Sequence, residues 1–251
     1  MTTSSSAPAS QPRPKPLIIA VAARKGGVGK TTIACGLASV LAQTCRVVVV
    51  DLDPQSNAGY VLGVDPTVAG TAAWLTGSEP IFQPAGENLM VLAGGPDLTE
   101  RAIERLDPLD LHVVAKQMKA DVIICDCPPG DEHLERLAIR AASIVLVVTD
   151  AHPLAVKGAG RVLEDLDADR RKGHRTPARV ALILSKVDQR RSMDRGLDSH
   201  LEQSWPQLPR LTIRQDVDMA SATAVGTPIM VGAPACRAAL DLQALARWIN
   251  E

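Results

Sequence analysis

Aromatic residues are scarce in this chain. Of its 251 residues, only Trp74, Trp205, Trp248, Tyr60 and Phe82 are aromatic. Proteins that bind single-stranded nucleic acid stack bases on such rings, so this scarcity argues against that mode of recognition. Charge of one sign is also lacking, since 27 Lys and Arg stand against 28 Asp and Glu. Binding to DNA or anionic lipid would therefore need a local basic patch rather than a global positive field.

Long apolar runs are missing as well. No segment approaches the roughly 18 consecutive apolar residues of a membrane span, and the apolar segment Leu17–Ala23 is too short for the core of a signal peptide. The five cysteines are odd in number and lie mostly within apolar stretches, as expected for buried thiols in a reducing compartment. These features predict a cytoplasmic protein.

The chain divides into a short tail and one domain. Residues 1–16 are rich in Ser, Ala, Pro and Thr, and this composition buries too little apolar surface to fold, which predicts a disordered tail. Residues 17–251 alternate short apolar runs with amphipathic segments throughout, which predicts a single domain.

The alternation also predicts the fold class. The predicted strands are Leu17–Ala23, Val47–Asp51, Leu89–Ala93, Val122–Asp126, Ile144–Thr149, Val180–Leu184 and Leu211–Arg214. The predicted helices are Thr31–Ala42, Asp110–Lys119, His133–Ala142, Leu154–Asp165, Met193–Gln203 and Arg237–Trp248. Strands that are apolar on both faces and alternate with helices indicate an α/β fold, a mostly parallel twisted sheet with helices on both faces. The segment 67–107 is less regular.

One eight-residue segment between the first strand and the first helix carries most of the functional information. It reads Lys25-Gly26-Gly27-Val28-Gly29-Lys30-Thr31-Thr32. A glycine-rich turn from a strand into a helix aims backbone N–H groups into one concavity, where the helix N-terminus favours phosphate. Lys30 can reach the β- and γ-phosphates, and the Thr31 hydroxyl can ligate Mg²⁺. The segment therefore predicts a P-loop that binds a nucleoside triphosphate.

The segment departs from the usual P-loop at its start. Five residues before Gly29, where a further glycine usually stands, the chain has Arg24, and a second lysine, Lys25, follows it. Because Gly26 and Gly27 make the turn, the Lys25 side chain cannot easily fold back onto the phosphates of its own loop.

Three predicted strands lead into aspartates. Asp51 and Asp53 follow one strand, Asp126 ends another, and Asp150 follows a third without a motif around it. The carboxyl ends of parallel strands meet at the edge where α/β sheets bind ligands. Asp126 fits the Walker B carboxylate, which holds Mg²⁺ directly or through water. Asp51 and Asp53 alternate along an extended segment, so only one of them can face the phosphates squarely.

These motifs resemble the ParA/MinD family of P-loop ATPases with a deviant Walker A motif, most closely its ParA-type partition members. The resemblance runs from Pro16 to the C-terminus and rests on Lys25–Thr32, Asp51–Asn57 and Asp121–Gly130, with a weaker match at Gly226-Thr227-Pro228-Ile229. It implies a switch in which ATP closes a sandwich dimer, a partner protein stimulates slow hydrolysis, and the cycle positions DNA or another large cargo.

The resemblance also implies roles for individual residues. Lys25 resembles the lysine that crosses the dimer interface to the partner's nucleotide, and Asp53 resembles the residue that positions or deprotonates the attacking water. With Lys30 they are the implied catalytic residues. The implied ligands of Mg²⁺ and its water shell are Thr31, Asp51 and Asp126. The implied cofactors are ATP and Mg²⁺, and the implied partners are a second copy of the chain and a ParB-like or other protein that stimulates hydrolysis.

One departure bears on DNA. Near the last strand, ParA proteins commonly carry two arginines where this chain has Gln215 and Asp218. That segment borders the adenine pocket, to which we assign Arg214 and Gln215, and in some members the DNA-binding face. Basic residues remain at 170–175 and 190–195, so a nonspecific DNA patch with nucleoid association and a merely solvated surface both stay open. The final helix has too few cations for the lipid-binding helix of MinD-type proteins, so no membrane binding is expected.

Other functions remain open. The cargo is a plasmid or chromosome, or alternatively a protein assembly such as a chemoreceptor cluster. A P-loop kinase or amide-forming ligase of similar topology would need a second substrate pocket. A GTP-driven module is suggested by Ser185-Lys186-Val187-Asp188, which resembles a guanine-reading motif. A scaffold that uses nucleotide only to dimerise is the remaining alternative.

Overall fold

An eight-stranded sheet forms the centre of the protein. The computed structural model describes residues 15–68 and 70–251. The strands are β1 (Leu17–Ala22), β2 (Val47–Asp51), β3 (Gln83–Gly86), β4 (Leu89–Leu92), β5 (Val122–Asp126), β6 (Ile144–Thr149), β7 (Arg179–Val187) and β8 (Arg210–Arg214). Their order across the sheet is β3-β4-β2-β5-β1-β6-β7-β8, and β3 alone pairs antiparallel to its neighbour.

Helices cover both faces of this sheet. They are α1 (Lys30–Leu41), α2 (Asn57–Val61), α3 (Thr71–Leu75), α4 (Arg101–Glu104), α5 (Asp110–Ala115), α6 (Glu132–Ala141), α7 (Pro153–Arg171), α8 (Ser192–Ser204), α9 (Val217–Ala224), α10 (Ile229–Gly232) and α11 (Arg237–Asn250), with a 3₁₀ turn at Pro96–Thr99. The predicted α/β class, with a mostly parallel sheet between two helical layers, is confirmed.

The side chains of the strands alternate between two apolar cores. In β1, Ile18 and Ala20 pack on the face that is covered by α3 and α5–α8, and Ile19 and Val21 pack on the face of α1, α9 and α11. The period of two residues along a strand produces this alternation. Each central strand is thereby buried on both sides, which accounts for its continuous apolar sequence.

Several boundaries differ from those predicted. The strand β3 was missed because Gln83–Gly86 contains proline and glycine, which sheets tolerate at an edge. The helix predicted over Asp110–Lys119 ends at Ala115, where i→i+3 hydrogen bonds from Gln117 and Met118 tighten the chain into a turn. The helix α7 continues to Arg171, and its last turn carries Arg170 and Arg171, cations that favour a helix C-terminus.

The predictions for the two ends of the chain concerned a disordered tail and a packing helix. Of the predicted tail, residues 1–14 lie outside the described residues, Lys15 is exposed, and Pro16 is buried beside β1. The final helix α11 buries its apolar face, including Leu242 and Leu245, on the core, as the prediction of a packing helix required. Within the described parts of the chain, no helix is both long and apolar enough to cross a membrane.

Sheet order brings the predicted motifs together. The strands β2, β5 and β1 are neighbours, and Asp126 of β5 is in register with both Asp51 of β2 and Val21 of β1. Since parallel strands end at one edge, the P-loop, the Asp51–Asn57 segment and the Asp126 turn converge there.

Candidate active site

The P-loop opens α1 in a geometry that suits an anion. The helix begins at Lys30 with no side-chain cap, so its first N–H groups remain available to a ligand. Gly29 precedes it with φ +99°, a conformation that favours glycine. A Cβ at Gly29 would also lie 2.8 Å from the Ser185 hydroxyl oxygen. Both constraints fix glycine at this position.

A cavity of about 310 Å³ lies against this helix end. Its lining residues are Gly27, Gly29, Lys30, Thr31, Thr32, Asp53, Asn57, Val61, Pro129 and Lys186. Six of them belong to the predicted site, namely Gly27, Gly29, Lys30, Thr31, Thr32 and Asp53. The predicted site residues Lys25, Asp51 and Asp126 do not line it. We call it the phosphate cavity.

Asp126 is a fully buried carboxylate beside the phosphate cavity. Neither of its oxygens has a hydrogen-bond partner among the described residues. Burial raises its pKa, and the nearby Thr31 hydroxyl and Lys30 ammonium oppose the rise. An orphaned buried carboxylate next to a threonine hydroxyl fits a hard cation such as Mg²⁺, which prefers oxygen ligands. The residues present therefore fit the predicted metal.

Asp51 shapes a turn. One of its carboxylate oxygens accepts the Asp53 N–H and the other accepts the Ala58 N–H, both at 2.9 Å. Burial raises the pKa of Asp51, the neighbouring Asp126 raises it further, and the two backbone bonds oppose the rise. The carboxylate thus holds the loop that carries Asp53, and its contribution to the water shell of a metal stays a prediction.

Asp53 is the carboxylate that reaches the phosphate cavity. Its Oδ1 accepts the Gln55 N–H at 2.9 Å, and its Oδ2 lies 3.4 Å from the Asn57 amide nitrogen. The turn packs so closely on Gly94 that a Cβ there would clash with the Asp53 carbonyl oxygen. Gly94 is a site-supporting residue that the sequence analysis missed, because no motif surrounds it.

A second cavity, of about 450 Å³, adjoins the first and shares Gly29, Thr32 and Lys186 with it. It is lined largely by the end of β8 and by α9, and includes the predicted pair Arg214 and Gln215. The Arg214 guanidinium is held by Asp241 through a bidentate pair with a shortest distance of 2.7 Å. We call this second space the base cavity, because it contains Arg214 and Gln215, which the family resemblance assigns to the adenine pocket.

Comparisons with known proteins agree with this geometry. Residues 17–175 match a family model described as an AAA domain. The chromosome-partitioning ATPase Soj of Thermus thermophilus is 31% identical over 226 residues, which are 86% of this chain and 88% of that protein. The chain belongs to the ParA/MinD family.

Solved structures of the family and its neighbours have the same fold. MinD of Pyrococcus horikoshii, solved with Mg-ADP, superposes with a TM-score of 0.76 at 25% identity, covering 94% of this chain and 96% of that one. The Cyanothece McdA(D38A)-ATP complex superposes with a TM-score of 0.78 at 21% identity, covering 93% and 97%. The second likeness concerns the fold alone.

Lys25, the lysine that marks the deviant Walker A motif of this family, lies outside the phosphate cavity of its own chain. Its ammonium is 3.5 Å from Asp150 Oδ2, at the end of β6. The prediction that Lys25 does not fold onto its own phosphates agrees with this placement. Asp150, which had no motif around it, thus contacts the P-loop.

Three acidic side chains contact Arg24. Its guanidinium nitrogens lie 2.7 Å from Glu132, 3.0 Å from Glu135 and 2.5 Å from Asp165. Glu132 and Glu135 belong to α6, which follows the Asp126 turn, and Asp165 belongs to α7. Arg24 therefore anchors the start of the P-loop to two helices. These contacts explain why an arginine stands where the usual P-loop has a glycine.

Most of the predicted basic patch is engaged within the chain. The Arg190 guanidinium donates hydrogen bonds to the Asp188 carboxylate, the shortest of them 2.8 Å from nitrogen to oxygen. Arg195 donates to backbone carbonyls. In the other cluster, Arg175 donates to the carbonyls of Arg140 and Ala142. His174 contacts Asp169, whose pKa Arg140 lowers to about 2. Spacing along the sequence could not reveal these pairs.

The structure does not place the motif Ser185-Lys186-Val187-Asp188 as a guanine-reading motif would require. Asp188, the residue that would accept from guanine, does not line the base cavity and is paired with Arg190. That pairing holds the pKa of Asp188 well below its usual range. Lys186 of the same motif is instead the residue that lines both cavities.

Glu135 generates a prediction about pH. Burial raises its pKa to about 7, although Arg24 and Lys30 oppose the rise. The native state then holds a proton that the unfolded chain releases above about pH 4.5, so this stabilisation is present at low pH and lost as the pH rises through 7. Between about pH 5 and pH 8, we expect the free energy of unfolding of the wild type to fall relative to that of Glu135→Gln, by on the order of 2 kcal/mol.

Urea denaturation at the two pH values measures this difference. Glu132→Gln is the matched control, because Glu132 pairs with the same arginine but is exposed. We expect the control to follow the pH dependence of the wild type. Parallel curves for the wild type and Glu135→Gln would show that Glu135 is ionised across the whole range.

Proposed function

We propose that this protein is an ATPase that binds ATP with Mg²⁺, dimerises around it and positions a large cargo. The observation that carries the proposal is the convergence of Lys30, Thr31 and Asp53 on one phosphate-sized cavity at the uncapped end of α1. The names of the relatives, a chromosome-partitioning ATPase among them, support partitioning or positioning as the purpose of the cycle.

The site residues have separate roles in the proposed hydrolysis of ATP. The N–H groups at the start of α1 and the Lys30 ammonium hold the phosphates and balance their charge. Thr31 and Asp126 would hold Mg²⁺, which neutralises charge on the phosphate oxygens when bound. Asp53 accepts a hydrogen bond from the attacking water and aligns it, since its carboxylate is fixed by Gln55 on one side.

The chemistry of Asp53 gives the test of the function. Asp53→Ala should bind ATP with the affinity of the wild type, because the phosphate cradle persists, and should lose at least about 100-fold in turnover because the water is no longer aligned. Fluorescence titration with an ATP analogue and phosphate release measure the two properties. Asn57→Ala serves as a milder variant of the same site, since Asn57 lines the phosphate cavity and its amide nitrogen lies 3.4 Å from Asp53 Oδ2. Turnover of Asp53→Ala at the wild-type rate would exclude the role.

We propose that dimerisation supplies the charge of Lys25 to the partner's nucleotide. A single chain does not present Lys25 to its own phosphate cavity, which supports a role across an interface. A ParB-like or other partner protein is proposed to stimulate the slow turnover of the dimer.

Two lysine variants separate these roles. Lys25→Gln should bind nucleotide normally but fail to dimerise with ATP, because the charge that the partner's phosphates need is missing. Lys30→Ala should lose nucleotide binding itself, because Lys30 faces the phosphates directly. Nucleotide titration and size-exclusion chromatography with ATP and Mg²⁺ measure both effects. Equal loss of binding in the two variants would remove Lys25 from the interface.

We further propose that the ATP-bound dimer binds duplex DNA weakly and without sequence preference. The net charge of −1 and the pairing of Arg190 and Arg214 within the chain support weak binding. Asp218 adds an exposed carboxylate at the start of α9, where the family commonly has an arginine. Association with the nucleoid would follow from this binding.

Filter binding of duplex DNA by the Asp53→Ala dimer across a salt series tests the DNA proposal. Log affinity should fall with log salt by about 0.9 for each phosphate contact, and Asp218→Arg should strengthen binding and steepen that slope. Asp218→Asn, which removes charge without adding a contact, should strengthen binding and leave the slope unchanged. No binding at low salt would shift the cargo from DNA to a protein assembly.

A further inference from the structure

Lys186 stands in an unusual backbone conformation beside the P-loop. The register between β7 and β8 shifts there, because Ser185 pairs with Ile213 and Val187 with Arg214, so Lys186 is the extra residue of a β-bulge. Its φ of +57° is left-handed, which among the described non-glycine residues is shared only by Ser56. Such a conformation is unfavourable for a residue with a long side chain, and bulges next to active sites commonly re-aim a side chain.

The bulge directs the Lys186 side chain across the P-loop. Its ammonium donates a 2.6 Å hydrogen bond to the Gly27 carbonyl oxygen, although the residue is exposed. Its stem passes close to Gly29, where an added Cβ would lie 3.6 Å from Lys186 Cε. The partner of this ammonium is a backbone carbonyl oxygen rather than a carboxylate.

The stem also stands where the two cavities meet. Lys186 lines both the phosphate cavity and the base cavity, together with Gly29 and Thr32. A nucleotide that fills both cavities therefore passes along this side chain, with its phosphates on one side and its base on the other. The aliphatic part of the stem carries no hydrogen-bond donor or acceptor, so we expect it to add binding without reading the identity of the base.

We propose that Lys186 is a nucleotide-positioning residue: its ammonium braces the P-loop at Gly27 while its stem forms the wall along which a nucleoside di- or triphosphate is seated. The inference rests on the proposed function only in taking a nucleotide as the ligand. Lys186 acts on the loop and on the nucleotide rather than on the reacting atoms. It therefore supports ADP and ATP alike and leaves the chemical step unchanged.

Three substitutions separate the parts of this role. Lys186→Met keeps the stem and removes the ammonium, and we expect about fivefold weaker binding of both ADP and ATP. Lys186→Gly removes both parts but relieves the left-handed backbone, so binding should weaken by about tenfold or more while the nucleotide-free protein melts no lower than the wild type. Lys116→Met, which changes an exposed lysine on the C-cap of α5, is the control and should bind as the wild type does.

The experiment measures the affinities for fluorescent ADP and ATP analogues, competition by GTP, and steady-state hydrolysis. For Lys186→Met we expect KM to rise with kcat unchanged, and the ratio of ATP to GTP affinity to stay that of the wild type. Affinities within twofold of the wild type, or a lower kcat at unchanged KM, would overturn the proposal for Lys186. Failure of the wild type itself to bind either nucleotide would instead overturn the proposed function.

Discussion

The register of three adjacent strands places the functional groups of this protein. Asp126 of β5 stands level with Asp51 of β2 and with Val21 of β1, two residues before the P-loop departs at Ala23. A shift of one residue in either pairing would turn Asp126 to the other face of the sheet, because side chains alternate along a strand. The apolar strands β1, β2 and β5, buried on both faces, hold that register, so the core that stabilises the fold also fixes how Asp51 and Asp126 stand relative to the start of the P-loop.

The same register places two buried carboxyl groups, those of Asp51 and Asp126, on neighbouring strands. The two differ in the hydrogen bonds that compensate for their burial. Desolvation of a carboxylate is costly unless partners compensate for it. Asp51 is compensated within the chain by two backbone N–H groups, and its position is therefore fixed without a ligand. Asp126 has no backbone partner of this kind among the described residues, and the nearby Thr31 hydroxyl and Lys30 ammonium offset its burial only in part, so its pKa is raised. A cation held at Asp126 would offset the remaining cost.

The fold could be predicted from the sequence, and so could the convergence of Lys30, Thr31 and Asp53 on one cavity. The sequence shows these features as local patterns: the glycine spacing, Lys30, Thr31 and the aspartates at strand ends. The order of the strands in the sheet then brings these residues to the same edge. The pairs that engage Arg190, Arg214 and Arg175 join residues whose contact depends on the tertiary fold or on side-chain direction, so spacing overstated the free positive charge. The role proposed for Lys186 was hidden for a related reason. Its motif suggested base reading, whereas a bulge in β7 aims it at the P-loop.

The cations around the P-loop are divided between holding the loop and facing the phosphates. Arg24 anchors the start of the loop to α6 and α7, and Lys186 donates to the Gly27 carbonyl farther along it. Lys30 is the loop lysine that lines the phosphate cavity, whereas Lys25 lies near Asp150. In a single chain, the P-loop is therefore anchored by Arg24 and Lys186, and Lys30 is the lysine of the loop that brings positive charge to the phosphate cavity. Such a site binds nucleotide but stabilises the transition state of phosphoryl transfer incompletely, because that state gains from each further charge brought to the phosphates. Under the proposed function, this distribution of charge would account for slow hydrolysis by the isolated chain and for acceleration when a second chain adds its Lys25.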